Sequence, residues 1–120
     1  MKDKKYDLIE RFTKFSENLI DLCRKVKQDV VTTPIINQLI RSGTSVGANY
    51  SEANGASSKT DFKNKIYICK KEAIETKYWL QLLSKSSPEL NDDCRKLWQE
   101  VHEFTLIFSK IIGTMSSNKK

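Results

Sequence analysis

Four stretches of the chain repeat apolar residues at alternating intervals of four and three, and no other feature restricts the fold as much. The first carries Leu8, Phe12, Phe15, Leu19, Leu22 and Val26. On a helix of about 3.6 residues per turn, that rhythm gathers all six side chains into one stripe. The third stretch does the same with Phe62, Ile66, Cys69, Ala73, Thr76, Leu80 and Leu83, and the fourth with Leu90, Cys94, Leu97, Val101, Phe104, Phe108, Ile111 and Met115. The second, Pro34 to Gly55, carries two adjacent stripes: Ile35, Leu39, Ser42, Val46, Asn49, Ala53, and Ile36, Ile40, Gly43, Gly47, Tyr50, Asn54. It holds only two charges, Arg41 and Glu52, in a chain that is 30% charged. A face this wide needs more than one neighbour, so the other helices are expected to pack around it. Gly43 and Gly47 each cost about 1 kcal/mol of helix propensity against alanine, which points to a close helix approach at both.

The breaks between the stripes predict helices over about 4–27, 34–54, 59–86 and 91–113. Thr33 is a capping candidate with Pro34 at the first helical position, where its missing N–H costs nothing. Ser57, Ser58, Thr60 and Asp61 are candidates to open the third helix, and Pro88 ends it. Asn91 can cap the fourth, with Asp92 and Asp93 in the first turn, where the helix dipole favours them. Gly113 is read as the start of fraying and residues 116–120 as a disordered tail. Four helices joined by short connections predict an all-α, up-down-up-down antiparallel four-helix bundle over residues 1–115.

Composition removes several functional classes. At 120 residues the chain supports one core and one domain. No apolar run approaches the roughly 18–20 residues of a spanning helix, and the charged start, MKDKKYDLIERF, is unlike a signal peptide, so a cytoplasmic protein is expected. Cys23, Cys69 and Cys94 are odd in number and widely spaced, which argues against a disulfide framework or zinc site and for reduced, packed thiols. A di-metal bundle needs two Glu-x-x-His pairs, whereas the single histidine, His102, has Gln99 three residues before it. Glycines 43, 47 and 55 follow no strand and form no phosphate-cradling loop. No nucleophile is paired with a base. The expectation is a non-enzyme with no catalytic residue, metal, cofactor or small-molecule substrate.

What remains is polar pairing, positive charge and excess apolar surface. Arg41, Asn49, Glu72 and Glu75 form a candidate inter-helix polar set, since antiparallel second and third helices bring Arg41 towards the two carboxylates. Net charge is +6, and residues 56–86 hold seven lysines against three acids. Lys63, Lys70 and Lys77 recur every seven residues, an expected exposed line about 21 Å long that Lys59 extends and that suits a run of phosphates. Tyr67, Ile74 and Tyr78 on one flank of the third helix, and Ile68, Trp79 and Leu82 on the other, exceed what one core covers. Tyr67, Ile74, Tyr78 and Trp79 are therefore candidates for an oligomer interface.

Residues 38–83 resemble the signature of the small bacterial four-helix-bundle proteins named after the 23S ribosomal RNA intervening sequences. The resemblance rests on Arg41, Ser42, Ser45, Val46, Asn49, Glu52, Ala53, Phe62, Glu72, Glu75 and Trp79. It implies a homopentamer of antiparallel bundles. It also implies similarity to the accessory variability determinant of diversity-generating retroelements, a basic pentameric bundle that works with a reverse transcriptase and nucleic acid. The usual Asn-Ile-Ala-Glu-Gly run is here Asn49-Tyr50-Ser51-Glu52-Ala53, so a role specific to that glycine does not carry over. The expected function is a homo-oligomer binding RNA or DNA without sequence readout. The alternative is a protein–protein scaffold with no nucleic-acid role.

Overall fold

The computed structural model describes residues 4–117. Over them α1 spans Lys4–Lys25, α2 Thr32–Asn54, α3 Lys59–Ser86 and α4 Asn91–Ser117, with one 3-10 turn, Pro88–Leu90, leading into α4. Cross-helix contacts fix the direction of each. Phe12 faces Gly47 while Phe15 and Leu19 face Gly43, so α1 and α2 run in opposite senses. Cys69 reaches the Val46 carbonyl at 3.6 Å and Thr76 lies 3.0 Å from the Ser42 hydroxyl, which reverses α3 against α2. Ser84 meets Asn91 at 2.6 Å and Lys77 meets His102 at 3.0 Å, which reverses α4 against α3. Arg11–Glu100 at 2.8 Å and Lys25–Asp93 at 3.0 Å close the circle from α4 back to α1. The fold is an up-down-up-down antiparallel four-helix bundle.

The four stripes meet at its centre. Phe12 packs edge-on against Tyr50 at 5.1 Å and Phe104 at 4.7 Å, and stacks with Phe108 at 5.4 Å, so side chains from α1, α2 and α4 share one aromatic cluster. Leu19, Leu22, Leu39, Leu80, Leu83 and Leu97 fill the other half. On α2 the buried line runs between the two stripes, taking Ile36, Leu39, Ser42, Gly43, Val46, Tyr50 and Ala53. Ile35, Ile40, Gly47, Asn49 and Asn54 flank it half-buried. A helix of 3.6 residues per turn drifts relative to a strict 4/3 stripe, which accounts for the crossing from one to the other.

Three boundaries differ from expectation: α1 ends at Lys25, not 27, and the other two are the start of α2 and the end of α4. α2 starts at Thr32, not Pro34, and Thr33 lies inside it. The Asp29 carboxylate accepts the Val31 and Thr32 N–H groups at 2.8 Å each, while the Thr32 hydroxyl donates to the Lys27 carbonyl at 2.8 Å. Those N–H donors, led by Thr32, hold the Asp29 carboxyl below its ordinary range. Pro34 thus sits in the first turn, where backbone N–H groups have no partner in the helix anyway. At the other end α4 passes through Gly113 to Ser117. Of the expected tail, Ser116 and Ser117 are therefore helical, and residues 118–120 lie outside the described residues.

The glycines give opposite predictions. A Cβ on Gly43 would stand 2.2 Å from Cδ2 of Leu19, which is fully buried, whereas one on Gly113 would meet nothing within 4 Å. Gly113→Ala should raise stability by about 0.5–1 kcal/mol through helix propensity alone. Gly43→Ala should lower it by about 1–2 kcal/mol net, because displacing a packed leucine outweighs the same propensity gain. Urea unfolding at one protein concentration checks both, and equal shifts of the same sign would contradict the packing described.

Candidate nucleic-acid interface

α3 is held on both sides, by α2 along one edge and α4 along the other, and the two edges differ in charge. Its inner strip, Ile66, Cys69, Ala73, Thr76, Leu80 and Leu83, is buried. The one hydroxyl there, on Thr76, lies 2.7 Å from the Glu72 carbonyl oxygen, so this polar group enters the core satisfied.

On the α2 edge the carboxylates are paired within the subunit. Arg41 donates from Nη1 to Glu72 at 3.1 Å, from Nη2 to Glu75, and from Nε to Gln38 at 2.9 Å. Trp79 Nε1 adds a 2.8 Å bond to Glu75, which is why the Glu75 carboxyl is held below its ordinary range, with Arg41 as the second cause. Nearly two turns from the start of α3, Lys65 bridges to Glu52 at 2.8 Å. Asn49, expected in the inter-helix polar set, does not join it. Its amide donates back within α2 to the Ser45 carbonyl at 2.9 Å and the Ser45 hydroxyl at 2.8 Å. A short amide side chain four residues on from a serine finds that local partner before it can span to α3.

The α4 edge carries the lysines. Lys59 is exposed, but Lys63, Lys70 and Lys77 are half-buried, so the line is less open than its spacing suggests. Their position beside α4 lets the aliphatic stems lie on apolar surface while the ammonium groups reach out. Lys77 is the most engaged: Nζ lies 4.8 Å from the Trp98 ring centroid and 3.0 Å from His102 Nδ1. An ammonium only donates, so Nδ1 accepts and the imidazole keeps its proton on Nε2. Trp98 and His102 stack with centroids 5.1 Å apart and planes 11° apart. Trp98 is absent from the sequence-derived site residues; its signal was the Trp98/His102 spacing of one helical turn beside a lysine-rich helix. Among the described residues no carboxylate forms an ion pair with Lys59, Lys63, Lys70 or Lys77.

Between the edges lies the outer face. Tyr67, Ile74 and Tyr78 are 47%, 49% and 54% exposed, and Ile68 is exposed beside them. Trp79 is half-buried, and Tyr78 packs edge-on against it at 5.1 Å. Lys63 Nζ lies 6.0 Å above the Tyr67 ring.

Elsewhere the chemistry is quiet. Burial pushes the Cys69 thiol up to about 12 and the Cys23 and Cys94 thiols up to about 11, far from a reactive thiolate. Among the described residues no three His, Cys, Asp or Glu side chains converge on a metal position. Nor is any helix among them long and apolar enough to cross a membrane.

The profile of the family described as 23S rRNA-intervening sequence protein matches residues 4–110, all four helices. The chain belongs to that family. A similar solved structure is a protein of unknown function from the S23 ribosomal protein family of Bacteroides thetaiotaomicron. It superposes with a TM-score of 0.81 at 31% identity, covering 92% of this chain and 99% of that one. No curated protein matches. The family membership fixes the bundle and assigns no activity, so function has to be argued from the two edges of α3.

The neutralised edge gives a pH prediction. Because the Glu75 carboxyl titrates lower in the folded chain than in the unfolded one, its contribution is full above the unfolded value of about 4.3 and fades as pH falls through the folded value. Glu75→Gln should cost up to about 1 kcal/mol at pH 7, the scale of a partly exposed pair. That gap to the wild type should close below about pH 4. Denaturant midpoints across pH 3–7 measure it, and a gap that widens in acid would contradict the assignment.

Proposed function

We propose that this protein is a non-catalytic, homo-oligomeric bundle of the cytoplasm that holds RNA or DNA by its phosphates along the α4 edge of α3, without reading base identity. The observation that carries this is the division of charge on α3. Glu72 and Glu75 are committed to Arg41 on one edge, while Lys59, Lys63, Lys70 and Lys77 line the other with no carboxylate paired to them among the described residues. A row of ammonium groups whose charge no carboxylate cancels attracts a polyanion through counterion release, a force indifferent to sequence. The four-lysine row on each subunit would be multiplied by assembly, and the family resemblance suggests five copies.

The subunit contact we assign to the α2 edge, around Trp79 with Ile68 and Leu82. Glu72 and Glu75 there already share Arg41, so burying that edge strands less charge than burying the lysine edge would. Tyr67 and Ile74, also candidates for this contact, stand three or four residues from lysines whose burial between subunits would be costly. The exposure of Ile68, Ile74 and Tyr78 favours a second reading, in which the bundle is a protein–protein scaffold and the lysines serve solubility.

Two measurements separate the readings. The solution mass should be a multiple of 13.9 kDa, fivefold for a pentamer. Affinity for a generic single-stranded RNA should fall about 50-fold between about 50 and about 200 mM salt if four phosphates are neutralised, and Lys70→Ala should lower the log–log slope by about 0.7. A monomer that ignores RNA at low salt overturns the proposal. A protein partner retained after nuclease treatment, with no RNA affinity, would establish the scaffold.

A further inference from the structure

We infer that Tyr67 is a stacking platform for an unpaired base, so that the nucleic acid held on α3 is single-stranded. This rests on the phosphate-holding edge proposed above and adds to it the class of strand. Tyr67 turns its ring outward, 47% exposed, from the middle of the lysine-rich half of α3. Its neighbours one helical turn away are Lys63, four residues before, and Lys70 and Lys71, three and four after. The ring is thus framed by three ammonium-bearing chains, one of which, Lys63, already lies over its face at 6.0 Å.

The geometry selects between strands. A duplex offers phosphates but hides the faces of its bases in the stack, so a ring beside the lysines would have nothing to bind. A single strand offers a phosphate and an exposed base face within the same nucleotide, which is what a tyrosine among lysines can hold together. No base identity is read, because every base has a π-face. A second copy of the chain fits worse: covering Tyr67 with protein would desolvate the three lysines that frame it.

Tyr78 provides the internal contrast. It is 54% exposed, yet its ring packs edge-on against Trp79 at 5.1 Å. Three residues before it stands Glu75, whose carboxylate disfavours phosphate nearby even though Arg41 and Trp79 bind it. Tyr78 is the more exposed of the two and its surroundings are opposite, so exposure does not decide and only Tyr67 belongs to the strand path.

The experiment uses the full chain with a labelled oligoadenylate of about 20 nucleotides and an RNA duplex of the same length, each titrated at about 50 and about 200 mM salt. The wild type should bind the single strand more tightly. Tyr67→Ala should weaken single-strand binding roughly tenfold, leave the salt slope and duplex binding unchanged, and keep the oligomer mass; Tyr67→Phe should bind as the wild type does. Tyr78→Ala should change single-strand affinity by no more than about twofold. Equal loss on both nucleic acids, no loss at all, equal loss from Tyr78→Ala, or a fall in solution mass with Tyr67→Ala each overturns the inference. If single strand and duplex bind equally with the expected salt slope, phosphate holding stands and stacking falls. If neither binds, both fall.

Discussion

The aromatic half of the core depends on how closely α1 lies on α2. Phe12 Cβ sits 3.1 Å from where a Gly47 side chain would begin, and Leu19 occupies the corresponding space at Gly43. Side chains of α1 therefore pack directly on the α2 backbone, and Phe12 is carried far enough inward to touch Tyr50, Phe104 and Phe108 at once. With larger residues at those two positions α1 would stand off and the cluster would lose its centre. The next interface uses the same economy of size: α2 and α3 meet through Ser42, Cys69, Ala73 and Thr76, all buried. α2 is thus covered from two sides, which leaves α3 to present an outer face.

The charge asymmetry of α3 arises from its neighbours. α2 brings a single cation, Arg41, and both nearby carboxylates turn to it. α4 brings no carboxylate to the other edge, because Glu100 and Glu103 face α1, where Arg11 binds them at 2.8 and 3.0 Å. What α4 offers α3 instead is Trp98 and His102, a pair of rings that can receive an ammonium without cancelling its charge. Positive charge on one edge is therefore a product of assembly, since each helix alone carries both signs.

This explains which parts of the structure could be read from sequence. Apolar period is a property of one helix at a time, so the four stripes give the four helices, and short connections force antiparallel neighbours. Arg41 was legible for a related reason: a lone cation on a helix with one other charge, Glu52 about three turns away, has few places to go. Asn49 was not, since the same residue type serves equally well inside its own helix, and Ser45 lies one turn away. The Asp29–Thr32 cap escaped because its donors come from a turn whose shape no periodicity encodes, and Gly113 because tertiary context carries a helix through a residue of poor propensity. The half-burial of Lys63, Lys70 and Lys77 depends on which side α4 takes. Spacing within α3 does not contain that information.

Potential should also vary along the lysine edge. At the α3 N-terminus the helix dipole adds to Lys59 and Lys63, and Asp61, the acid in that first turn, lies on the far side of the helix. Towards the C-terminal half, Lys77 is drawn down onto Trp98 and His102 and gives up part of its hydration to them. Glu72 and Glu75 lie at that same level on the opposite edge, so the field is weaker there for two reasons. Attraction for an anion is then strongest over the first three turns of α3, the stretch in which Tyr67 is the exposed ring. Charge placement and ring placement coincide at one end of the helix, and Tyr78, at the other end, keeps the company of a tryptophan and a carboxylate.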